Sequence, residues 1–142
     1  MTHPLPAYHF LVEWGGTRVG FSEGSGLEIE IPAIEYREGS DGESSARKIP
    51  GLQKYTDITL KRGIVINDNE FFEWINAIRM GSVERRNITI SLLDENHDPV
   101  MMWRAVNAWP TRLVGPVLSA TENRIAIEEL VVTHEGLTIE TG

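Results

Sequence analysis

Apolar residues in this chain recur at every second position, in short runs broken by Gly, Pro and Asx-rich turns. A period of two is the repeat of a β-strand, whose side chains alternate between faces. Tyr8, Phe10, Val12 and Trp14 alternate with His9, Leu11 and Glu13. Gly15-Gly16 then predicts a turn, with Thr17 to Phe21 as the return strand of a hairpin. Leu27, Ile29 and Ile31 alternate with Glu28 and Glu30 up to Pro32, which suits a strand end or an edge. Ile34 to Arg37 continues beyond that break. Thr56, Ile58 and Leu60 are predicted inward, with Asp57, Thr59 and Lys61 outward. Asn87 to Leu93 places Ile88, Ile90 and Leu92 on one face. The turn Asp94–Pro99 leads to a return strand, Val100 to Val106, and Thr111–Val114 and Arg124–Thr133 read as the last strands.

One segment breaks the period. Phe71, Trp74, Ile75 and Ile78 fall at i, i+3, i+4 and i+7, an amphipathic helical stripe that Phe72 broadens. Asn67 with Glu70 has capping-box spacing, Arg79 suits the last turn, and Gly81 suits the C-terminal cap. The helix is predicted over about residues 68–80. Many short strands and one helix imply a mainly β fold: a β-sandwich or small barrel with one α-helix packed at its side. At 142 residues, 1–142 is expected to be a single domain.

Between Glu38 and Lys54 the alternation disappears into Gly, Ser, Asp and Pro. Unstructured connections beyond about 12–15 residues are uncommon in compact domains and are usually functional or disordered. Two readings follow: a solvated surface loop, or an arm that orders against another subunit.

Composition excludes several functions. A net charge of −8 lacks the clustered cations that replace phosphate counterions, so no specific nucleic-acid binding is expected. With no cysteine there is no thiolate metal site, nucleophile or disulfide. No apolar run reaches the roughly 18 residues of a spanning helix, so direct membrane insertion is not expected. Met1 to Pro6 has neither the basic nor the apolar region of a signal peptide, which points to cytoplasmic synthesis.

The chemical motifs fail on their own terms. Gly20-Phe21-Ser22-Glu23-Gly24 matches a nucleophile elbow, but that motif needs a strand-to-helix turn, and strand-like sequence follows. Asp94, Asn96 and Asp98 open like a calcium loop, yet Pro99 and Ala105 stand where Gly and Glu are required. His3, His9, His97 and His134 show no metal-ligand spacing. Glu28 and Glu30 share a strand face, but alternation with aliphatic residues suits a wet row better than a tuned acid/base pair. Asn87-Ile88-Thr89 is a glycosylation sequon inside a predicted strand. Trp103 and Trp109 lack the interleaved cations of a base-stacking platform beyond Arg104 and Arg112, so core packing is the better reading. No catalytic residue, cofactor or metal is assigned.

A series of short motifs carries a family resemblance. Gly20-Phe21-Ser22-Glu23, Ser25-Gly26-Leu27, Glu35-Tyr36-Arg37-Glu38-Gly39 and Ile49-Pro50-Gly51 come first. Leu60-Lys61-Arg62-Gly63, Phe72-Glu73-Trp74, Asn107-Ala108-Trp109-Pro110, Glu128-Glu129-Leu130 and His134-Glu135-Gly136-Leu137 follow. In this order the chain resembles the tail tube proteins of contractile phage tails and related extracellular contractile injection systems. The resemblance implies a structural, non-enzymatic subunit whose sheets join into hexameric rings that stack into a tube. It implies as partners the chain itself, the sheath, the baseplate or tube-initiator proteins, and protein cargo in the lumen. It implies assembly in the cytoplasm into a phage-tail-like particle that is released. Glu38, Gly39, Ser40, Asp41, Arg47, Lys48, Ile49, Pro50, Gly51 and Leu52 would then form the inter-subunit stacking loop. Glu28, Glu30, Asp57 and Lys61 would face the lumen, and the helix would lie towards the exterior. Two alternatives stay open: a ring-forming adaptor (a tube initiator, or a secreted relative from type VI machinery), and a stand-alone β-barrel binding module or small enzyme.

Overall fold

A computed structural model describes Leu5 and residues 9–16, 20–36, 47–78 and 82–141. The early strands are β1 (Phe10–Glu13), β2 (Phe21–Ser25), β3 (Ile29–Glu30), β4 (Ala33–Tyr36), β5 (Arg47–Pro50), β6 (Lys54–Tyr55) and β7 (Ile58–Gly63). Helix α1 (Glu70–Asn76) precedes β8 (Arg86–Leu93), β9 (Pro99–Val114), β10 (Ile127–Thr133) and β11 (Gly136–Thr141). Seven of these strands make one antiparallel sheet in the order β1-β8-β9-β10-β7-β2, with β11 also paired to β9. Strands β3 with β6 and β4 with β5 form two separate ribbons. The fold is mainly β with one helix among the described residues, as the alternation implies.

Strand β9 joins the two halves of the sheet. Its first half lies between β8 and β11, and its second half pairs with β10. The turn between the halves falls at Asn107–Pro110. Asn107 has φ 52°, and the register with β8 slips there, from Ile88 opposite Ala105 to Arg86 opposite Ala108. The extra residue is a β-bulge, a usual way for a strand to pass from one layer to another. The Asn107 amide N–H donates to Asn87 Oδ1 at 3.1 Å, and its Nδ2 donates to Glu135 Oε2 at 3.0 Å. The sequence reading gave two strands here, Val100 to Val106 and Thr111 to Val114, where the structure has one. It also gave no strand at Gly136–Thr141.

Two layers therefore face one another around Val12, Trp14, Ile58, Leu60, Ile88, Ile90, Ala105, Leu130 and Val132. Strand β7 shows the alternation most clearly, with Ile58, Leu60 and Arg62 buried and Thr59 and Lys61 turned outward. Helix α1 covers one margin of the core with Phe71 and Trp74, whose rings lie 4.9 Å and 5.9 Å from that of Trp14. The Trp74 indole N–H donates to the Glu84 carbonyl at 2.9 Å.

Local expectations fail at three places. The hairpin across Gly15-Gly16 is not formed: β1 pairs with β8, and β2 with β7. Gly16 has a different task, because a Cβ there would collide with the Trp14 indole and the Glu70 carboxylate. Thr17 to Val19 lie outside the described residues. The capping box is also unmade, since Asn67 sits at φ 65° two residues before the N-cap, Asn69. Asp68 takes over instead, its Oδ1 accepting from the Glu70 N–H at 3.2 Å. The helix then spans seven residues rather than the longer 68–80, Phe72 is exposed, and Arg79 to Gly81 are outside the described residues.

Candidate assembly surfaces

Beyond Ser25 and before Ile58 the chain leaves the main sheet as a two-stranded ribbon. Its root is fastened by small residues. Gly26 has φ 90°, and a Cβ there would strike the Asp57 carbonyl. The Thr56 hydroxyl donates to the Gly26 carbonyl at 3.0 Å, and His134 Nε2 lies 3.0 Å from the Thr56 carbonyl. The Tyr55 ring rests 5.5 Å from that of His134.

From the root outward, Ile29 lies opposite Tyr55 and Glu30 opposite Lys54. Pro32 then breaks the ladder, as its missing N–H requires, and its carbonyl accepts from the Gly51 N–H at 2.7 Å. Pairing resumes with Ala33 opposite Pro50, Ile34 opposite Ile49, Glu35 opposite Lys48 and Tyr36 opposite Arg47. Arg47–Pro50 and Lys54, inside the stretch expected to lack pattern, are thus strand. Period two was hidden there because the ribbon has no buried face for alternation to mark.

Among the described residues nothing covers this ribbon. Ile31, Ile34, Tyr36 and Ile49 are exposed, and Leu52 is 87% exposed. A two-stranded ribbon without a packed face is marginal in water. Covering one such aliphatic side chain is worth roughly 1.5–3 kcal/mol. The ribbon therefore gains most by being covered. Arg47, Lys48, Ile49, Pro50, Gly51 and Leu52 all lie on it, while Glu38, Gly39, Ser40 and Asp41 fall outside the described residues. Ile31, Ile34 and Tyr36 belong to the same surface and were missed by sequence reasoning. Their signal was an aliphatic pattern that crosses Pro32 without losing hydrophobicity.

The four lumen candidates separate into two groups. Glu28, Glu30 and Asp57 are exposed near the ribbon root. Lys61 stands on the outward face of β7, 3.0 Å from Glu23 and 3.8 Å from Glu129. The hydrogen bond and charge of Glu23, with the further charge of Glu129, hold the Lys61 ammonium above its ordinary value of 10.5.

A buried cation lies at the other end of β7. Arg62 is 1% exposed, and its Nε donates to Glu128 Oε1 at 2.8 Å and its Nη2 to Asp68 Oδ1 at 3.0 Å. The guanidinium stacks 3.9 Å from the Phe71 ring centroid, with Trp14 and Phe21 nearby. It ties β7, β10 and the approach to α1 together. The signal for it was register, since Arg62 follows Ile58 and Leu60 on the inward face.

The remaining motifs serve structure. Ser22 lies in β2 and donates to the Lys61 carbonyl at 3.2 Å. Asp94 Oδ1 accepts from the Asn96 and Asp98 amides, which closes the turn. Among the described residues no group of three acidic or His side chains is placed to hold a metal. No described helix is long and apolar enough to cross a membrane. A cavity of about 340 Å³ opens between the layers, lined by Phe10, Gly24, Leu27, Ile90, Leu92 and Trp103 among others, with no reactive cluster.

Comparison with known proteins adds the context. The T4-like virus tail tube protein gp19 family matches residues 6–138. A chain in the cryo-EM structure of the anti-feeding prophage cap (AFP tube terminating cap) is 37% identical, with a TM-score of 0.90, covering 100% of this chain and 94% of that one. A chain in the extended PVC sheath–tube complex, an extracellular contractile injection system, is 36% identical at TM-score 0.89, covering 99% and 93%. A chain in the sixfold-symmetrised anti-feeding prophage baseplate is 22% identical at TM-score 0.83, covering 99% and 98%, and shares the fold. Curated protein sequences gave no match.

Proposed function

The chain belongs to the T4-like virus tail tube protein gp19 family, and from that premise we propose that it is a structural subunit of the inner tube of a contractile injection particle. The observation that carries this reading is full-length agreement, at 36–37% identity, with chains from the cap and sheath–tube structures of such particles.

The subunit acts through shape and contacts, with no chemistry of its own. Edge strands carry unpaired N–H and C=O groups, and closing them between identical neighbours removes that liability. Six copies form a ring, rings stack coaxially, and contraction of the sheath drives the rigid tube into a target. The ribbon reaches a neighbouring copy, which covers its aliphatic side chains. Glu28, Glu30, Asp57 and the Lys61 row face the bore, where a predominance of carboxylates disfavours adhesion of acidic cargo. The sheath, the baseplate and protein cargo are the further partners. Synthesis and assembly take place in the cytoplasm, before release with the particle.

Light scattering across a concentration series, with negative-stain microscopy of the same fractions, tests this. Rings or hollow tubes are expected. A compact monomer at every concentration would point to the adaptor, and ligand binding by that monomer would point to a binding module.

A further inference from the structure

A second uncovered apolar surface lies far from the ribbon. At the end of β7 the chain runs through Ile64, Val65 and Ile66 before turning towards α1. Beside it passes the connection from β9 to β10, which carries Val117, Leu118 and Ile125, and the Ile64 N–H donates to the Ala126 carbonyl at 3.0 Å. Ile66 is 88% exposed, Leu118 84% and Ile125 77%. The one ion pair within the connection, Glu122 with Arg124 at 2.8 Å, is internally neutral, so covering this patch strands no net charge there.

Strand registers fix where the two surfaces stand. Ser25 lies opposite Thr59, and Val132 opposite Ile58, so the ribbon leaves from that end of the β2–β7–β10 sheet. Phe21 lies opposite Arg62, and Ile127 opposite Gly63, so the patch occupies the other end. One molecule thus carries an aliphatic projection at one end of a sheet and an aliphatic patch at the opposite end.

We propose that these are the two halves of one head-to-tail contact, in which the ribbon of one copy lies on the Ile64–Ile66 and Val117–Ile125 patch of the next. The proposal rests on the tube reading and adds to it the receiving surface. Symmetry favours this pairing. A ribbon-to-ribbon contact would close at two copies and leave every patch exposed. A contact between unlike surfaces covers both and repeats along the stack.

The chain has no native cysteine, so introduced pairs report contacts cleanly. The double variant Leu52→Cys/Leu118→Cys, assembled and then mildly oxidised, should give a ladder of covalent oligomers, while each single variant stops at dimers. Both positions are solvent-facing, and a melting curve like that of the parent checks the fold. Independently, Ile66→Asp/Leu118→Asp should lower assembly by about tenfold or more, since each stranded charge costs more than the apolar contact it replaces. Tubes without a ladder, or normal tubes from the aspartate variant, overturn this contact and leave the tube reading standing. A chain that never self-associates overturns both.

Discussion

Arg62 is where a single side chain does most for this fold. Its cost is the desolvation of a guanidinium at 1% exposure, and its return is two carboxylates and an aromatic face at 3.9 Å. Removing one member of such a group leaves the others unpaired, which usually costs about 3–5 kcal/mol. Asp68 and Glu128 keep some access to water, so Arg62→Ala should lose about 3 kcal/mol by chemical denaturation. Arg62→Met with Asp68→Asn and Glu128→Gln should recover part of that loss, because no charge is then stranded. Lys61, its neighbour, faces water and behaves differently. Its raised pKa means the folded state holds the proton more tightly than the unfolded chain. The stabilisation is complete below the ordinary value of 10.5 and disappears as pH climbs through the higher folded value. The melting difference between the parent and Lys61→Met should therefore be constant near neutrality and vanish once pH has climbed past the raised folded value. A difference that persists there would assign the effect to packing of the Lys61 stem.

Among the elements, β9 depends on one bulge. Asn107 holds φ 52°, a left-handed value that costs an ordinary L-residue roughly 1–2 kcal/mol. Asn107→Ala should lose that amount and its bond to Glu135, whereas Asn107→Gly keeps the backbone and should lose less. Equal losses in urea denaturation would show that the side-chain bonds, not the bend, fix the corner. Asn107 also shows how far sequence reaches. Alternation was legible wherever a strand had one wet and one dry face, as at Ile58-Leu60 and Ile88-Ile90, and there the expected strands are found. It held for Ile34 to Tyr36 but failed on the partner strand Arg47–Pro50, where both faces are wet and Pro and Gly interrupt the pattern. It also failed where tertiary pairing chose the partner, as when Gly15-Gly16 joined two strands that never pair. The helical stripe was correct at Phe71 and Trp74, but the cap was not, because Asp68 serves Arg62 and the helix start with the same oxygen. For the candidate surfaces, Arg47 to Leu52 were legible as an unusual stretch. The Ile64–Ile66 and Val117–Ile125 patch was not, since exposed aliphatic residues read as strand core when nothing reports their surroundings.

At the scale of the whole molecule, two opposing terms govern assembly. Each subunit carries a net charge of −8, so bringing copies together works against mutual repulsion. The surfaces available for contact are largely aliphatic, and burial of Ile34, Ile49, Leu52, Ile66 and Leu118 does not weaken in salt. Raising salt from about 20 mM to about 300 mM shortens the Debye length from about 20 Å to about 6 Å, which removes most of the repulsion between separated surface charges. If instead the contact were held by ion pairs, the same change would weaken it. The critical concentration for assembly should therefore fall severalfold over that range, as followed by sedimentation. A rise would show that Arg47, Lys48 and Lys54 of the ribbon engage carboxylates of the neighbouring copy, and would make charge rather than apolar burial the force that holds the stack.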